Sequence, residues 1–257
     1  MSAPVHVQRD QPEGVPPLAL TGERTLPDVP AENYWFRRHL AVYEWIAPRV
    51  RGRRVIDMAC GEGYGSAALA DRAAAVVGVD ANPEAYEHAR LRYRAPNLRF
   101  ERALVETFSG PADAVVFLQT IEHLREPARA LGHFRSLAGP RGRVFVSTPN
   151  VLTLAPTGAA RSDNPWHVRE YRAQVFEALC RECFAGVELY GLFHARKLRA
   201  HEHALRVGWD QVHRRLGLTE RFYAWLVPAI SASDFALRAG AAARLDRALD
   251  FLAICRT

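Results

Sequence analysis

Val55-Ile56-Asp57-Met58-Ala59-Cys60-Gly61-Glu62-Gly63-Tyr64-Gly65 runs from an apolar strand through an acid into three glycines at alternate positions. Small residues follow from Ser66 to Ala70, so the strand bends into a helix. Glycines at such a bend let the backbone approach a ligand that a Cβ would exclude, and the first helical turn offers it unpaired amides. The spacing selects among ligands. A dinucleotide fingerprint places its third glycine three residues after the second, whereas position 66 is serine and the third glycine is Gly65. An acid just ahead of the loop also opposes a phosphate; Asp57 suits a ligand carrying an ammonium or sulfonium. An NAD site is therefore disfavoured.

Ala75-Val76-Val77-Gly78-Val79-Asp80 reads as a second buried strand ending in an acid. From that position a carboxylate accepts both hydroxyls of a ribose. The implied ligand is a nucleoside without phosphates. Around these two strands the chain alternates: strands over 54–59, 75–80, 98–103, 114–119 and 142–148, helices over 64–72, 83–93, 127–138 and 171–183. Such alternation means βαβ units and a parallel sheet. Val187–Phe193 and Asp250–Cys255 supply two more strands, for seven in all.

Together these residues resemble the class I S-adenosylmethionine (SAM) dependent methyltransferases, whose first motif is an acid followed by alternating glycines and whose second strand ends in Asp. Asp113-Ala114-Val115-Val116-Phe117 resembles their fourth strand, Gln119-Thr120-Ile121-Glu122-His123-Leu124 the loop after it, and Val144-Phe145-Val146-Ser147-Thr148-Pro149-Asn150 the fifth strand. The likeness spans roughly residues 33 to 195. Glu32-Asn33-Tyr34-Trp35-Phe36-Arg37-Arg38-His39 and Asn164-Pro165-Trp166-His167-Val168-Arg169-Glu170-Tyr171 add a narrower similarity to the subgroup that O-methylates sugars and polysaccharides. The resemblance implies an α/β, Rossmann-like seven-stranded sheet, mostly parallel with an antiparallel last strand. Strands six and seven form a hairpin in that family; here residues 194–249 intervene as an insertion expected to be helical. Its Trp209, Phe222, Tyr223, Trp225, Leu226 and Phe235 suit a substrate lid or a dimer face.

With SAM as the implied cofactor, the expected contacts are Tyr34, Arg38, Asp57, Ala59, Gly61, Gly63, Gly65, Asp80, Ala81, Leu104, Val105 and Gln119. Arg38 can meet the SAM carboxylate in a fork or serve a structural ion pair. The family usually places an acid after strand three to bind the adenine amino group. Phe100-Glu101-Arg102-Ala103-Leu104-Val105 has apolar residues there, so adenine is expected against backbone groups and apolar walls.

Methyl transfer from a sulfonium to an alcohol requires in-line placement and a base for the departing proton, a task suited to histidine. His123 follows strand four and His167 follows strand five, the end of the sheet where open α/β folds bind ligands. In the sugar O-methyltransferases that the chain resembles, the histidine after strand four is the base, which falls on His123. The alternative is a histidine that only hydrogen-bonds backbone. His167 can anchor an acceptor hydroxyl or merely fix its loop, and Glu122 can orient either histidine or cap a helix.

The 257 residues are 49% hydrophobic, which fits one enzyme domain at 26–257 behind a mobile, proline-rich tail at 1–25. The charge of +6 is carried almost entirely by arginine, Lys197 being the sole lysine, and the arginines are interleaved with acids. A nucleic-acid partner is not expected from that pattern. Nor are a metal, a membrane span or a signal peptide; the cysteines of Cys180-Arg181-Glu182-Cys183 read as small apolar residues. The expectation is a cytoplasmic O-methyltransferase acting on a small-molecule or glycan hydroxyl. A natural-product hydroxyl or carboxyl as acceptor, and an inactive SAM-binding scaffold, are the alternatives.

Overall fold

The computed structural model describes residues 5–6, 12–21, 24–156 and 158–257. Its sheet comprises β1 (Arg54–Met58), β2 (Ala75–Asp80), β3 (Leu98–Arg102), β4 (Ala114–Phe117), β5 (Arg143–Pro149), β6 (Gly186–His194), β7 (Phe235–Ala239) and β8 (Asp250–Arg256). The strand order is β3-β2-β1-β4-β5-β8-β6-β7. Strands β1 to β5 pair in parallel, β8 lies antiparallel between β5 and β6, and β7 pairs antiparallel with β6. The chain steps from β1 outward to β3, then crosses back to β4 on the other side of β1. The carboxyl ends of β1 and β4 therefore form the switch-point crevice where such sheets take ligands.

Neighbouring strand residues face opposite layers. Val55 and Val116 pack with Val42, Ile46 and Leu69 of α1 (Asn33–Ile46) and α2 (Tyr64–Ala70). Ile56 and Val115 pack with Leu131, Phe134 and Phe176 of α4 (Pro127–Ala138) and α5 (Ala173–Cys183). Strands covered on both sides read as continuous apolar runs, which is why β1, β2 and β4 stand out in the sequence. The start of α3 (Pro83–Arg92) is fixed by its cap: the Asn82 side chain accepts from the amides of Glu84 and Ala85, both at 2.9 Å, with Pro83 at the first helical position.

Two expectations about the fold need correction. The sheet has eight strands among the described residues, because residues 194–249 contain β7 after the helices α6 (Arg196–Arg206), α7 (Trp209–Arg215) and α8 (Thr219–Ala229). With Phe235 and Leu237 its only large apolar side chains, β7 is a short edge strand whose pairing comes from β6 rather than from a strong local pattern. Part of the segment expected to be a mobile tail is packed: His88 Nδ1 donates to the Pro16 carbonyl at 2.7 Å, and Leu18 joins Leu26 and Val29 in a small apolar cluster. Val5–His6 pairs with Leu18–Ala19, and within 1–25 only residues 1–4, 7–11, 22 and 23 lie outside the described residues.

Arg38 takes its structural alternative. Its Nε donates to Asp250 Oδ2 at 2.7 Å and its Nη2 to the Leu249 carbonyl at 2.7 Å, with both side chains buried. Nearby, Asn33 Nδ2 donates to the carbonyls of Val227 (2.7 Å) and Ile230 (3.1 Å), so α1 is fastened to the end of α8 as well as to β8. No helix among the described residues is long and apolar enough to cross a membrane. Removing one member of a buried ion pair strands the other charge. Arg38→Ala should therefore lower unfolding stability by about 3–5 kcal/mol in denaturant titrations, whereas Arg38→Leu combined with Asp250→Leu should recover most of that loss.

Candidate active site

The glycine loop leaves β1 in a strained conformation. Ala59 has φ 55° and Gln119, after β4, has φ 51°, both left-handed and both on the wall of a cavity of about 320 Å³ at the switch point. Left-handed non-glycine residues persist only where their surroundings over-determine them. Cys60 N donates to the Val79 carbonyl at 3.0 Å and Gly61 N to Asp80 Oδ2 at 2.8 Å. Gln119 N donates to the Ser147 carbonyl at 3.2 Å and to Ser147 Oγ at 3.1 Å. Asp80 thus pins the loop, and its other oxygen accepts from Asn82 N at 2.9 Å.

The three glycines have different jobs. Gly61, at φ +58°, has open space where a Cβ would stand, so it is the glycine against which a ligand can rest. A Cβ on Gly63 would lie 2.8 Å from Ala89 Cβ, and one on Gly65 would lie 2.1 Å from Tyr43 Cζ. Those two serve packing against α3 and α1. Asp57 also turns inward: it is fully buried, accepting from Ser66 Oγ at 2.6 Å and Tyr43 OH at 3.2 Å, and it does not line the cavity. Burial pushes its pKa from 3.8 up to about 7 against those two hydrogen bonds. It supports the loop from behind and does not meet a cationic ligand directly.

Glu62, between the glycines, was not singled out by sequence. Its buried carboxyl meets His88 Nε2 at 3.1 Å and Arg92 Nε at 3.2 Å, and accepts from Tyr93 OH at 2.8 and 2.9 Å and Tyr64 N at 3.1 Å. Through His88 and Pro16 the loop is tied to the N-terminal segment. That segment reaches the cavity itself, which Arg24, Thr25, Glu32, Trp35 and His39 help to line. Burial lowers the His39 pKa to about 4 and keeps the ring neutral.

Of the expected cofactor residues, Ala59, Gly61 and Gln119 line the cavity. Asp80, Ala81, Leu104 and Val105 do not line it; they lie at or just past the ends of β2 and β3, where Ala103 N donates to the Asp80 carbonyl at 3.2 Å. Tyr34 lies apart: its OH meets His194 Nε2 at 2.9 Å. Arg38 is held by Asp250, as described above.

The opposite wall carries the histidines. His123 and His167 line the cavity with ring centroids 5.1 Å apart. His123 Nδ1 donates to the Trp166 carbonyl at 2.9 Å, so its proton sits on Nδ1 and Nε2 is the basic nitrogen. His167 has both nitrogens engaged, Nδ1 donating to Glu170 at 2.8 Å and Nε2 accepting from Asn164 Nδ2 at 3.1 Å. Burial works to raise the Glu170 pKa, but hydrogen bonds from Ser162 and His167 outweigh it and hold the carboxyl below its ordinary range. Glu122, bonded by Thr148 Oγ1 at 3.0 Å, is pushed by burial up to about 8 and is protonated at neutral pH. One donor atom each from Glu122, His123 and His167 lies within 4.8 Å of the others, a spacing that suits a divalent cation or a shared proton. Leu154, Asn164 and His167, from the loop after β5, complete this side, and no residue of 194–249 lines the cavity.

Fold and loop together define a Rossmann-like site for a nucleoside cofactor. Residues 32–203 match the family described as a methyltransferase domain. The chain is 37% identical over 246 residues to a probable S-adenosylmethionine-dependent methyltransferase of Mycobacterium tuberculosis, covering 92% of this chain and 89% of that protein. A ubiquinone biosynthesis O-methyltransferase of Azotobacter vinelandii is 34% identical over 127 residues, 45% of this chain and 55% of that protein. Among solved structures, a SAM-dependent methyltransferase from Thermotoga maritima shares the fold with a TM-score of 0.59 at 12% identity, over 88% of this chain and 93% of that one. The chain belongs to this family and is a SAM-dependent methyltransferase. The open face of Gly61, the acid ending β2 and the cavity between them and the histidines fit that cofactor.

Two outcomes follow for the loop. Gly65→Ala, forced against the Tyr43 ring, should cost about 1–3 kcal/mol of stability in thermal or denaturant unfolding. Gly61→Ala should cost only about 1–2 kcal/mol, for its left-handed backbone, while weakening S-adenosylhomocysteine binding by calorimetry. A third concerns pH. Because the native state keeps a proton on Asp57 that the unfolded chain releases near its ordinary value, this group's contribution to stability declines as pH rises toward about 7. The stability of wild type relative to Asp57→Asn should therefore fall between about pH 5 and pH 7 in paired unfolding titrations; an unchanged difference would mean that Asp57 is not buried as described.

Proposed function

We propose that the protein transfers the methyl group of SAM to a hydroxyl of a sugar, oligosaccharide or related metabolite, with His123 as general base. The observation that carries this reading is the His123 ring, oriented by the Trp166 carbonyl with its basic nitrogen defined, on a cavity shared with the glycine loop one strand away. SAM supplies a methyl group on a sulfonium that departs as a neutral thioether without acid assistance. The protein must place an acceptor oxygen in line and take its proton. His123 Nε2 is the group suited to the proton. His167, with both nitrogens engaged, is suited to holding the loop after β5 and to contacting the acceptor. Neutral Glu122 adds a polar group without placing a fixed anion beside the reaction. The similarity to ubiquinone biosynthesis O-methyltransferases supports oxygen as the accepting atom, and the motifs after strands four and five support a glycan hydroxyl.

A second acceptor class has one observation in its favour. Trp35, Leu118, Pro149 and Leu154 give the cavity an apolar share that suits a natural-product hydroxyl on a flat, apolar body. Labelled SAM offered to a panel of glycans and hydroxylated metabolites, with products read by mass, decides between them. Methylated glycan supports the proposal; product only from apolar hydroxyl compounds supports the second reading; no product despite tight cofactor binding supports a scaffold. On an accepted substrate, His123→Ala should lower kcat by about 10²–10⁴-fold with S-adenosylhomocysteine affinity kept. Transfer at the wild-type rate would remove His123 as the base.

A further inference from the structure

Arg24 is the unusual cation of this cavity. It lies on the wall, its Nη1 is inaccessible to solvent, and no hydrogen-bond partner reaches that atom among the described residues. Buried polar groups are nearly always paired, and a guanidinium is costly to leave so. A guanidinium on a cavity wall with one enclosed donor left unpaired therefore points to an anionic group that enters the cavity. Arg24 is half-buried, whereas Arg38, the strongly buried cation of α1, is consumed by Asp250 and the Leu249 carbonyl and has no comparable vacancy to offer.

The position of Arg24 says which ligand it serves. Its neighbour Thr25 contacts Tyr64 OH through Oγ1 at 3.2 Å, and Tyr64 opens α2 directly after the glycine loop. The same stretch of chain is held to the loop from the other side by Pro16, His88 and Glu62. Arg24 thus belongs to the glycine-loop side of the cavity, where the cofactor rests on Gly61, whereas His123, His167, Leu154 and Asn164 form the acceptor side. The carboxyls already bonded on this wall and beneath it, Glu62 and Asp57, are committed to protein donors.

We infer that Arg24 binds the α-carboxylate of the cofactor's amino-acid end. A guanidinium fork is the group that matches a carboxylate with two parallel hydrogen bonds. The role falls to a residue in the proline-containing segment ahead of α1 and not to the arginine within the helix.

The test uses two ligands that differ only in that carboxylate: SAM and decarboxylated SAM, titrated by calorimetry into the full-length wild type, Arg24→Gln and Arg24→Lys. Wild type should bind SAM more tightly. Arg24→Gln should weaken SAM by about 10- to 100-fold, the range for losing a charge-assisted hydrogen bond, and leave decarboxylated SAM within about 2-fold, so that the preference disappears. Arg24→Lys, which keeps the charge without the fork, should retain part of it. Thermal unfolding of each variant checks that the fold is kept. Equal weakening of both ligands would show Arg24 to be only a strap holding the N-terminal segment, and no weakening of SAM would show that its partner is not the cofactor; either result overturns the inference. Because no acceptor enters the experiment, its outcome is independent of which hydroxyl is methylated.

Discussion

A buried carboxyl beneath the glycine loop sets the geometry on which the site depends. Asp57 has no access to water, and its oxygens are satisfied by one hydroxyl from α1 and one from α2. Desolvation favours the protonated form, so the group acts as a hub of short-range hydrogen bonds and not as a fixed charge. Tyr43 must therefore reach over α2 to Asp57, and its ring then occupies the space a side chain at position 65 would need. Acid, tyrosine and third glycine are one packing unit. With the loop clamped from below by this unit, and from the sides by Asp80 and Glu62, the left-handed Ala59 and the open Gly61 are held in place before any ligand arrives.

Much of the fold was legible because its strands are covered on both faces. Such strands are continuous apolar runs bounded by turn residues, and the sequence expectation placed β2 and α4 at their observed ends. The short β7 was not legible: its two large apolar residues gain a role only when the edge of β6 is beside them. The packing of Pro16 and Leu18 was hidden for a similar reason, since a polar, proline-rich segment has no periodicity and its partners, His88 and the Leu26–Val29 cluster, are distant or too small to signal.

The site divided along the same line. Gly61, Ala59, Gln119, His123 and His167 were found from motif and strand position, and all reach one cavity. Which glycine meets the ligand could not be read from spacing, because the answer lies in Ala89 and Tyr43 on other elements. Arg38 and Arg24 illustrate the point most sharply. Both are arginines near the start of the domain, and only the location of Asp250, far along the chain, decides that the first is structural. The insertion fastens α1 through Asn33, Tyr34 and Arg38, while the loop after β5 lines the cavity through Leu154, Asn164 and His167.

The charge pattern that results suits a reaction in which positive charge leaves sulfur. A carboxylate held beside a sulfonium would stabilise the reactant more than the transition state, and uniform or ground-state binding does not accelerate chemistry. Here Asp57 is turned away behind the loop and shifted toward neutrality, and Glu122 is protonated at neutral pH. His39 is neutral on the same cavity. The well-ionised carboxyl among the acceptor-side residues is Glu170, and it acts on His167 through Nδ1 instead of facing the glycine loop. The proposed base His123 thus stands one histidine away from an ionised carboxylate, while Glu62, the carboxyl of the glycine loop, is spent on His88, Arg92 and Tyr93.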